Sequence, residues 1–350
     1  MKRIALILFL GVLTQFKAQV GGDKVYRFLD IPMTARAAAL GGSNMSIWGD
    51  DVQLIYSNPA LLNPSMSKQV ALDFCNFVGD LKYGFAAYAH TLKNKGTVAG
   101  SVQFFDYGKF QGYDELGQTQ NTFRASDYSI NLHYAKAMAD SMFNIGVSLK
   151  TIISQYDVYQ SIGNAIDFGI TYRTKNRVVL SILARNIGFV WKTYTETPDQ
   201  SYKLPFSLQF GASYKVAKAP FRLFLVYDQM QRWRMDYVSP IDTAGQYSSL
   251  DQSTQDTTAW QSFTYKAGDF LDNAMRHIVI GTEIIVSKNF HLRIAYNYRR
   301  QKEMTLPERR GVNGLSFGFG FRVKRLGFSY AFTKMAFPGN SSVFGLTLQL

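Results

Sequence analysis

Apolar residues recur at every second position in segments of about ten residues, and this pattern constrains the fold most. In 126–136, Tyr128, Ile130, Leu132 and Tyr134 alternate with polar residues. Successive side chains of a β-strand point to opposite faces, so each segment predicts a strand with one apolar face. A tilted strand of about ten residues can cross a bilayer, whereas strands of soluble proteins usually have about five or six.

The alternation is clean from residue 126 onwards and weaker in the first three strands. We predict fourteen strands in all, an even number that brings both ends of a barrel to one side of the membrane. The predicted strands are 70–79, 82–92, 97–107, 126–137, 141–155, 164–174, 177–187, 206–216, 220–232, 276–287, 289–300, 313–323, 326–335 and 341–350. The last strand places Phe344, Leu346, Leu348 and Leu350 on one face, and barrel-insertion machinery usually recognises a last strand of this type, although a terminal aromatic is commoner than leucine.

The connections between these segments are sorted by length. Those after even-numbered strands are tight turns, at 93–96, 138–140, 175–176, 217–219, 288 and 324–325. Those after odd-numbered strands lie at 80–81, 108–125, 156–163, 188–205, 233–275, 301–312 and 336–340, and most of them are long. Outer-membrane barrels have short periplasmic turns and long outer loops, whereas a soluble sandwich has no reason to sort its loops. We therefore predict an all-β fold, a 14-stranded antiparallel transmembrane barrel (69–350) in the outer membrane of a Gram-negative bacterium.

Residues 1–18 are typical of a secretory signal peptide. Lys2 and Arg3 precede the apolar run from Ile4 to Leu13, and Ala18 supplies a small residue before a cleavage site. The run is too short for a membrane anchor helix. We place the mature start at Gln19, within a residue or two.

Residues 19–68 do not alternate and are predicted to form a small helical plug inside the barrel. Thr34 is a good N-cap for a helix over 35–40, and Gly41–Gly42 is a natural helix stop. Asn58 caps a turn that begins with Pro59, and Asn63–Pro64 ends it. The alternatives are a periplasmic extension or a disordered lead-in.

A lumen filled by protein also explains the first strands. They place small or apolar residues where the lumen face is expected, namely Ala71, Cys75, Phe77, Gly84, Ala86 and Tyr88.

The formal net charge of +13 falls to about +10 when Lys2, Arg3 and Lys17 are removed with the signal. Such an excess can bind nucleic acid or lipid phosphates. Export argues against nucleic acid, which leaves lipopolysaccharide and other outer-membrane lipid, acidic partners, or a solvated surface. Cys75 is the only cysteine, so no internal disulfide can form.

The sequence contains no catalytic constellation, and we predict a non-enzymatic protein without cofactor or metal. His90, His133, His277 and His291 fall on different strands and are expected to line the lumen. A hydrolase assembled across strands is the open alternative, since it would need only a Ser or Asp nucleophile with a partnered His.

Two sets of basic residues each allow two alternative roles. The lumen-facing cations, Lys150, Arg173, Lys215, Arg293 and Arg322, can select anionic solutes or pair with Asp127, Asp167, Asp228 and Glu283 and close the pore. Arg299–Arg300 and Arg309–Arg310 flank an outer loop, where they can meet lipopolysaccharide phosphates or remain solvated.

The connection at 233–275 is longer than a compact turn needs, and such loops are usually functional or disordered. Its candidate partner-binding aromatics are Trp233, Tyr237, Tyr247, Trp260, Phe263 and Tyr265. Aromatic side chains are favoured at protein contacts, so this loop is expected to cover the barrel mouth or dock a partner.

The N-terminal segment resembles that of the FadL-like outer-membrane proteins. The resemblance rests on PMTARAAALGGS at 32–43, Asp50–Asp51 and NPALL at 58–62. Within that group the chain looks most like the PorQ and PorV barrels of type IX secretion, with GGDKVYRFLDIP and the strand number favouring a PorQ-like member.

This resemblance implies an N-terminal plug whose motif includes Arg36, Gly41, Gly42, Asn58, Pro59 and Ala60. It also implies partner proteins of the secretion and attachment complex, which anchor cargo to lipopolysaccharide. The leading hypothesis is thus a type IX secretion barrel, and the alternative is a FadL-like transporter of hydrophobic compounds. The transporter needs a continuous apolar pocket beside Asn58–Ala60, and the anchor does not.

Overall fold

The computed structural model describes residues 24–77, 80–138, 142–195, 202–235, 268, 270–304, 313–334 and 339–350. The predicted signal peptide lies outside these ranges. Fourteen antiparallel strands form one closed barrel in which each strand pairs with its neighbours along the chain. The ring closes between β1 and β14, from Gln69 opposite Gln349 to Asn76 opposite Ser342. The predicted barrel and its strand number are confirmed.

The strands are close to the predicted segments. Their bounds are β1 Gln69–Asn76, β2 Lys82–Leu92, β3 Gly96–Tyr113, β4 Thr119–Ala137, β5 Phe143–Tyr156, β6 Tyr159–Arg173, β7 Val178–Lys192, β8 Ser207–Lys215, β9 Phe221–Tyr227, β10 Ile278–Ile285, β11 Phe290–Asn297, β12 Leu315–Val323, β13 Leu326–Lys334 and β14 Asn340–Gln349. Helix α1 comprises Ala35–Ala39 and helix α2 comprises Tyr298–Glu303, and 3-10 turns lie at Arg27–Asp30, Val52–Tyr56, Pro59–Leu61 and Pro64–Met66. A further helical segment lies at 270–276. No helix within the described ranges is long and apolar enough to cross a bilayer.

Two predicted outer loops are largely strand. The prediction of a loop over 108–125 was wrong, because β3 and β4 continue as a hairpin up to the turn at 114–118. Phe110 and Phe123 stack across this extension with ring centroids 5.4 Å apart, and Gly117 takes the left-handed backbone conformation that the turn requires. The loop predicted at 156–163 likewise shortens to residues 157–158.

The outward face of the strands forms an apolar belt. Tyr128, Ile130, Leu132 and Tyr134 of β4 all point away from the lumen, as predicted, and are among many large apolar side chains left exposed on the outer wall. A belt of this kind faces lipid. We call the end with the turns after even-numbered strands the inner rim and the opposite end the outer rim. By turn length the inner rim faces the periplasm.

The lumen face of β2 was predicted wrongly. Tyr83, Phe85, Ala87 and Ala89 point into the barrel, whereas Gly84, Ala86, Tyr88 and His90 point outward. Both faces of this strand are apolar, so alternation alone does not reveal which one faces lipid.

The N-terminal segment fills the lumen. Thr34 caps α1 by accepting a hydrogen bond from Ala37 N, as predicted. Asn58 caps the turn at Pro59–Leu61 in the same way, whereas Asn63, predicted to end this turn, caps a further one at Pro64–Met66. Every residue of α1 is buried, and the main apolar cluster joins this segment to the inner faces of β1, β2 and β3. We call the described part of this segment, residues 24–66, the plug.

Candidate functional site

The Asn58–Pro59–Ala60 motif is buried against the inner faces of β5 and β6. The Asn58 side-chain amide donates to the Met45 carbonyl at 2.9 Å and to the Thr171 hydroxyl at 3.4 Å. The Asn144 side-chain amide of β5 donates to the carbonyls of Ala60 at 2.7 Å and Leu62 at 2.9 Å. The motif therefore contributes backbone carbonyls and an amide to contacts with the wall.

Two glycines of the wall make room for this motif. A Cβ atom at Gly146 would overlap the backbone of Pro59 and Ala60, and one at Gly169 would overlap the Asn58 side-chain oxygen. Asn58 and Ala60 are both fully buried. Among the described residues the space beside the motif is thus filled, and the open apolar pocket that a transporter was expected to have there is not seen.

Arg36 joins the plug to the opposite wall through a buried ionic cluster. Its Nη1 lies 3.1 Å from Asp51 Oδ2 within the plug, and its Nη2 lies 3.2 Å from Glu283 Oε1 on β10. Glu283 also pairs with Arg222 of β9 at 2.6 Å and Arg293 of β11 at 3.1 Å. One carboxylate thus holds three guanidinium groups where burial makes the loss of a charge costly.

Gly41 and Gly42 end α1 with positive φ angles of 77° and 91°. A Cβ at Gly41 would lie 2.7 Å from Val279 Cγ1 of β10, so both the turn and the close packing require glycine. The Gly41 carbonyl accepts hydrogen bonds from Asn297 at 3.1 Å and Arg300 at 3.4 Å. This end of the helix is therefore also tied to the wall.

The plug reaches the outer rim at its N-terminal end. Val25 N donates to the Lys203 carbonyl at 3.0 Å, in the connection between β7 and β8. The Tyr26 hydroxyl lies 2.6 Å from Ser161 Oγ, and Phe28 and Leu29 are buried below it. These side chains therefore occupy the lumen near the connection between β7 and β8.

A series of aromatic rings runs from the outer rim into the lumen, beginning at the connection after β7. Its consecutive centroid distances are 6.3 Å from Tyr202 to Tyr194, 5.3 Å to Tyr156, 5.8 Å to Tyr107, 4.6 Å to Phe105 and 5.5 Å to Tyr83. We call these six residues the aromatic path. Its outer members are half-buried, whereas Phe105 and Tyr83 are buried, so the path leads from solvent to the apolar core.

Asp127 of β4 holds the hydroxyl groups of two tyrosines in this path. Its carboxylate accepts hydrogen bonds from the hydroxyls of Tyr107 at 2.6 Å and Tyr156 at 3.2 Å, and from Ser154. The Tyr194 hydroxyl donates to Ser154 Oγ at 2.6 Å. The hydroxyls of these tyrosines are thus held by hydrogen bonds, and their rings pack against one another along the path.

The predicted partner-binding loop is described only at its ends. Trp233 packs on Phe270 and His277, with centroids 4.8 Å and 6.2 Å apart. Tyr237, Tyr247, Trp260, Phe263 and Tyr265 lie outside the described residues. His277, predicted to line the lumen from a strand, lies in a turn beside this loop, where its imidazole bonds the carbonyls of Asp228 and Trp233.

A helical segment at 270–276 ties the end of this loop to α2. Asp272 accepts a hydrogen bond from the Tyr298 hydroxyl at 2.6 Å and pairs with Lys302 at 2.9 Å and Arg276 at 2.8 Å. Burial raises the pKa of Asp272, but these three partners outweigh it and lower the pKa to about 2. The tie therefore stays charged at any ordinary pH.

The arginines proposed to meet lipopolysaccharide are engaged within the chain where they are described. Arg299 pairs with Asp228 at 3.4 Å, and Arg300 contacts the plug at Gly41. Arg309 and Arg310 lie outside the described residues.

Most of the cations predicted to face the lumen pair with carboxylates, as one of the two alternatives predicted. Lys150 lies 2.7 Å from Asp167 and Arg293 lies 3.1 Å from Glu283. Arg322 pairs with Asp50 at 2.6 Å near the inner rim, and Lys215 is exposed at that rim rather than in the lumen. Arg173 lies over the ring of Trp48 in the plug, 3.8 Å from its centroid.

Sequence reasoning missed the aromatic path and the Arg36–Glu283 pair. Both join strands that are far apart in sequence, and only the barrel register brings them together. Within the described residues no group of three His, Cys, Asp or Glu side chains could hold a metal ion.

Solved outer-membrane channels have a similar fold. The toluene transporter TbuX of Ralstonia pickettii matches with a TM-score of 0.51 and 11% identity over 92% of this chain and 100% of that one. The toluene transporter TodX of P. putida matches with a TM-score of 0.50 and 11% identity over 91% and 98%. The CymD monoaromatic hydrocarbon channel gives 0.50 and 11% over 91% and 97%.

No protein-family model matches the chain, and no curated protein matches its sequence. At such low identity the structural likeness shows the fold alone. The FadL-like fold predicted from the N-terminal motif is confirmed at that level, and none of these comparisons supports the PorQ or PorV assignment. The chain is a 14-stranded outer-membrane β-barrel of a Gram-negative bacterium, with a FadL-like fold and a filled lumen.

Proposed function

We propose that this barrel is a passage for small hydrophobic compounds across the outer membrane, closed in this conformation by its plug. The aromatic path is the observation that supports this function best. It is a continuous row of aromatic rings from the outer rim down to Tyr83, where the inner faces of β1–β3 continue with the apolar residues Ala71, Cys75 and Ala87. Apolar lining with few polar groups is typical of sites for apolar ligands.

Passage requires the plug to move. Beside the inner end of the path, Phe85 of β2 packs edge-on against the buried plug residue Tyr56, with ring centroids 5.9 Å apart. Asn58–Ala60 and the Arg36 cluster hold the plug on opposite walls. A compound that enters the path would therefore have to shift plug side chains before it could reach the periplasm.

The names of the structural neighbours agree with this substrate class, since they are described as transporters of toluene and channels for monoaromatic hydrocarbons. The test is uptake of radiolabelled toluene by Gram-negative cells that produce the chain, compared with cells that do not. Tyr194→Ala removes a ring from the path and is expected to lower uptake on the order of fivefold, because an aromatic pair contributes about 0.5–1.5 kcal/mol.

Tyr113→Ala is the matched control, because Tyr113 is an exposed aromatic at the tip of β3 away from the path. Uptake should remain unchanged in this variant. Equal uptake by cells with and without the chain would refute the proposal.

A role as an anchor in type IX secretion is the second candidate. The tight packing around Asn58–Ala60 favours it, since an anchor needs no open lumen. Mild crosslinking followed by purification tests this role and its partners together. Recovery of secretion proteins and lipopolysaccharide with the barrel would support the anchor, and a bound apolar compound without such partners would support transport.

A further inference from the structure

The inner rim carries exposed positive charge in every short turn that is described in full. These turns contain Lys93 and Lys95 between β2 and β3, Lys175 and Arg177 between β6 and β7, Lys218 between β8 and β9, Lys288 between β10 and β11, and Lys324–Arg325 between β12 and β13. None of the five turns contains Asp or Glu. We call these eight residues the basic rim.

The outer rim differs, because its connections mix charges of both signs. Asp80, Glu115 and Asp157 are exposed there beside Lys82 and Lys109. The exposed carboxylate described near the inner rim, Asp50, is already paired with Arg322. The excess of positive charge is therefore concentrated at the periplasmic end of the barrel.

A shallow, open cleft of about 730 Å³ lies in this rim between the β6–β7 and β8–β9 turns. Arg177, Lys215 and Lys218 line it together with Val216, Ala219 and Pro220. Arg177 Nη1 donates to the Ala217 carbonyl at 2.8 Å, which fixes the guanidinium at the cleft. Among the described residues none of the three cations forms an ion pair, so their charge is available to a ligand.

The cleft lies at the edge of the apolar belt. Tyr214 and Phe221, which flank the β8–β9 turn, are exposed on the outer wall. A strand rises about 3.3 Å per residue, so the three cations lie within a few residues of the hydrocarbon boundary, where lipid phosphates are found. Long basic side chains can keep their stems on the belt and their charges at this level.

We propose that the basic rim, with this cleft as its best-formed part, binds the headgroup phosphates of anionic phospholipids in the periplasmic leaflet. Guanidinium and ammonium groups form short charge-assisted hydrogen bonds with phosphate oxygens. The apolar lining beside the cations suits the glycerol and first acyl carbons of the same lipid. A soluble acidic protein would need no such position against the belt.

The test compares the lipids retained by the purified barrel in native mass spectrometry, after equilibration with equal amounts of phosphatidylglycerol and phosphatidylcholine. The wild type should retain phosphatidylglycerol preferentially. In the triple variant Arg177→Gln, Lys215→Gln, Lys218→Gln this preference should fall on the order of tenfold or more, because each cation at an anionic surface contributes about fivefold in affinity.

The control variant is Lys82→Gln, Lys109→Gln, Arg124→Gln, which removes the same charges from exposed positions at the outer rim and should keep the preference. Equal retention of the two lipids by the wild type, or equal loss in both triple variants, would overturn the proposal. Inorganic phosphate that displaces the lipid at equal concentration would show a free-anion site instead.

Salt gives a readout that does not depend on any variant. The wild-type preference should weaken between about 0.05 M and 0.5 M sodium chloride, because exposed charges are screened over that range. A preference that is independent of salt would contradict an electrostatic headgroup site.

Discussion

Gly146 and Gly169 lie on the lumen face of β5 and β6, where the alternation of the sequence placed them. Their role was not visible there, because it depends on contact with Asn58–Ala60 much earlier in the chain. In the barrel, any side chain at either position would occupy the volume of the plug motif. The plug motif thus packs directly against the backbone of the wall at Gly146 and Gly169.

Adding one methyl group at these positions should displace the motif. Gly169→Ala is expected to destabilise the seated plug by about 1–3 kcal/mol, as overpacking of a well-packed core does. The measurement is single-channel conductance in planar bilayers, where openings should become more frequent. Gly100→Ala is the matched control, because a Cβ at Gly100 would meet no atom within 4 Å. Identical conductance in both variants would contradict the conclusion that Gly169 makes room for the Asn58–Ala60 motif.

Elements whose structure follows from a local sequence pattern could be predicted from the sequence. Features that depend on packing against neighbouring elements could not. The β4 alternation and the Thr34 cap of α1 are local, and both are confirmed. The face of β2 and the extension of β3 and β4 depend on what the neighbouring elements bury. The plug site was predicted only as a motif, since Arg36 finds Glu283 through the register of β9, β10 and β11.

The link between the plug and β9–β11 should be a major part of the stability of the assembled lumen. Glu283→Gln removes the carboxylate shared by Arg36, Arg222 and Arg293. Loss of one partner from a buried ionic group typically costs about 3–5 kcal/mol. Urea unfolding of the barrel in detergent, followed by intrinsic fluorescence, measures this change.

Asp50→Asn is the control for that experiment. The Asp50–Arg322 pair also joins plug and wall, but both side chains are substantially exposed. Solvent-exposed pairs contribute about 0–1 kcal/mol. A loss of stability as large as that of Glu283→Gln would show that burial of the cluster is not what matters.

Across the whole molecule, the plug spans the lumen from rim to rim. Val25 meets Lys203 at the outer rim, while Lys68, just after the plug, donates to Ala89 near the inner rim. Arg27 has a largely exposed side chain, and Ser65 is exposed at the other end. One short stretch of chain therefore reaches both aqueous compartments.

Cysteine labelling can check this topology. A membrane-impermeant maleimide applied to intact cells should modify Arg27→Cys and leave Ser65→Cys unmodified until the outer membrane is permeabilised. The native Cys75 is buried and gives little background. Rapid labelling of Ser65→Cys in intact cells would mean that the barrel orientation is reversed or the lumen open.

The pairing of β1 with β14 has a consequence for how the barrel is built. The first and last strands of the wall form the seam, and the plug precedes both of them in the chain. Export from the N-terminus delivers the contents of the barrel before the strand that shuts it. The barrel can therefore close around a plug that is already present, and the plug need not be inserted into a closed barrel.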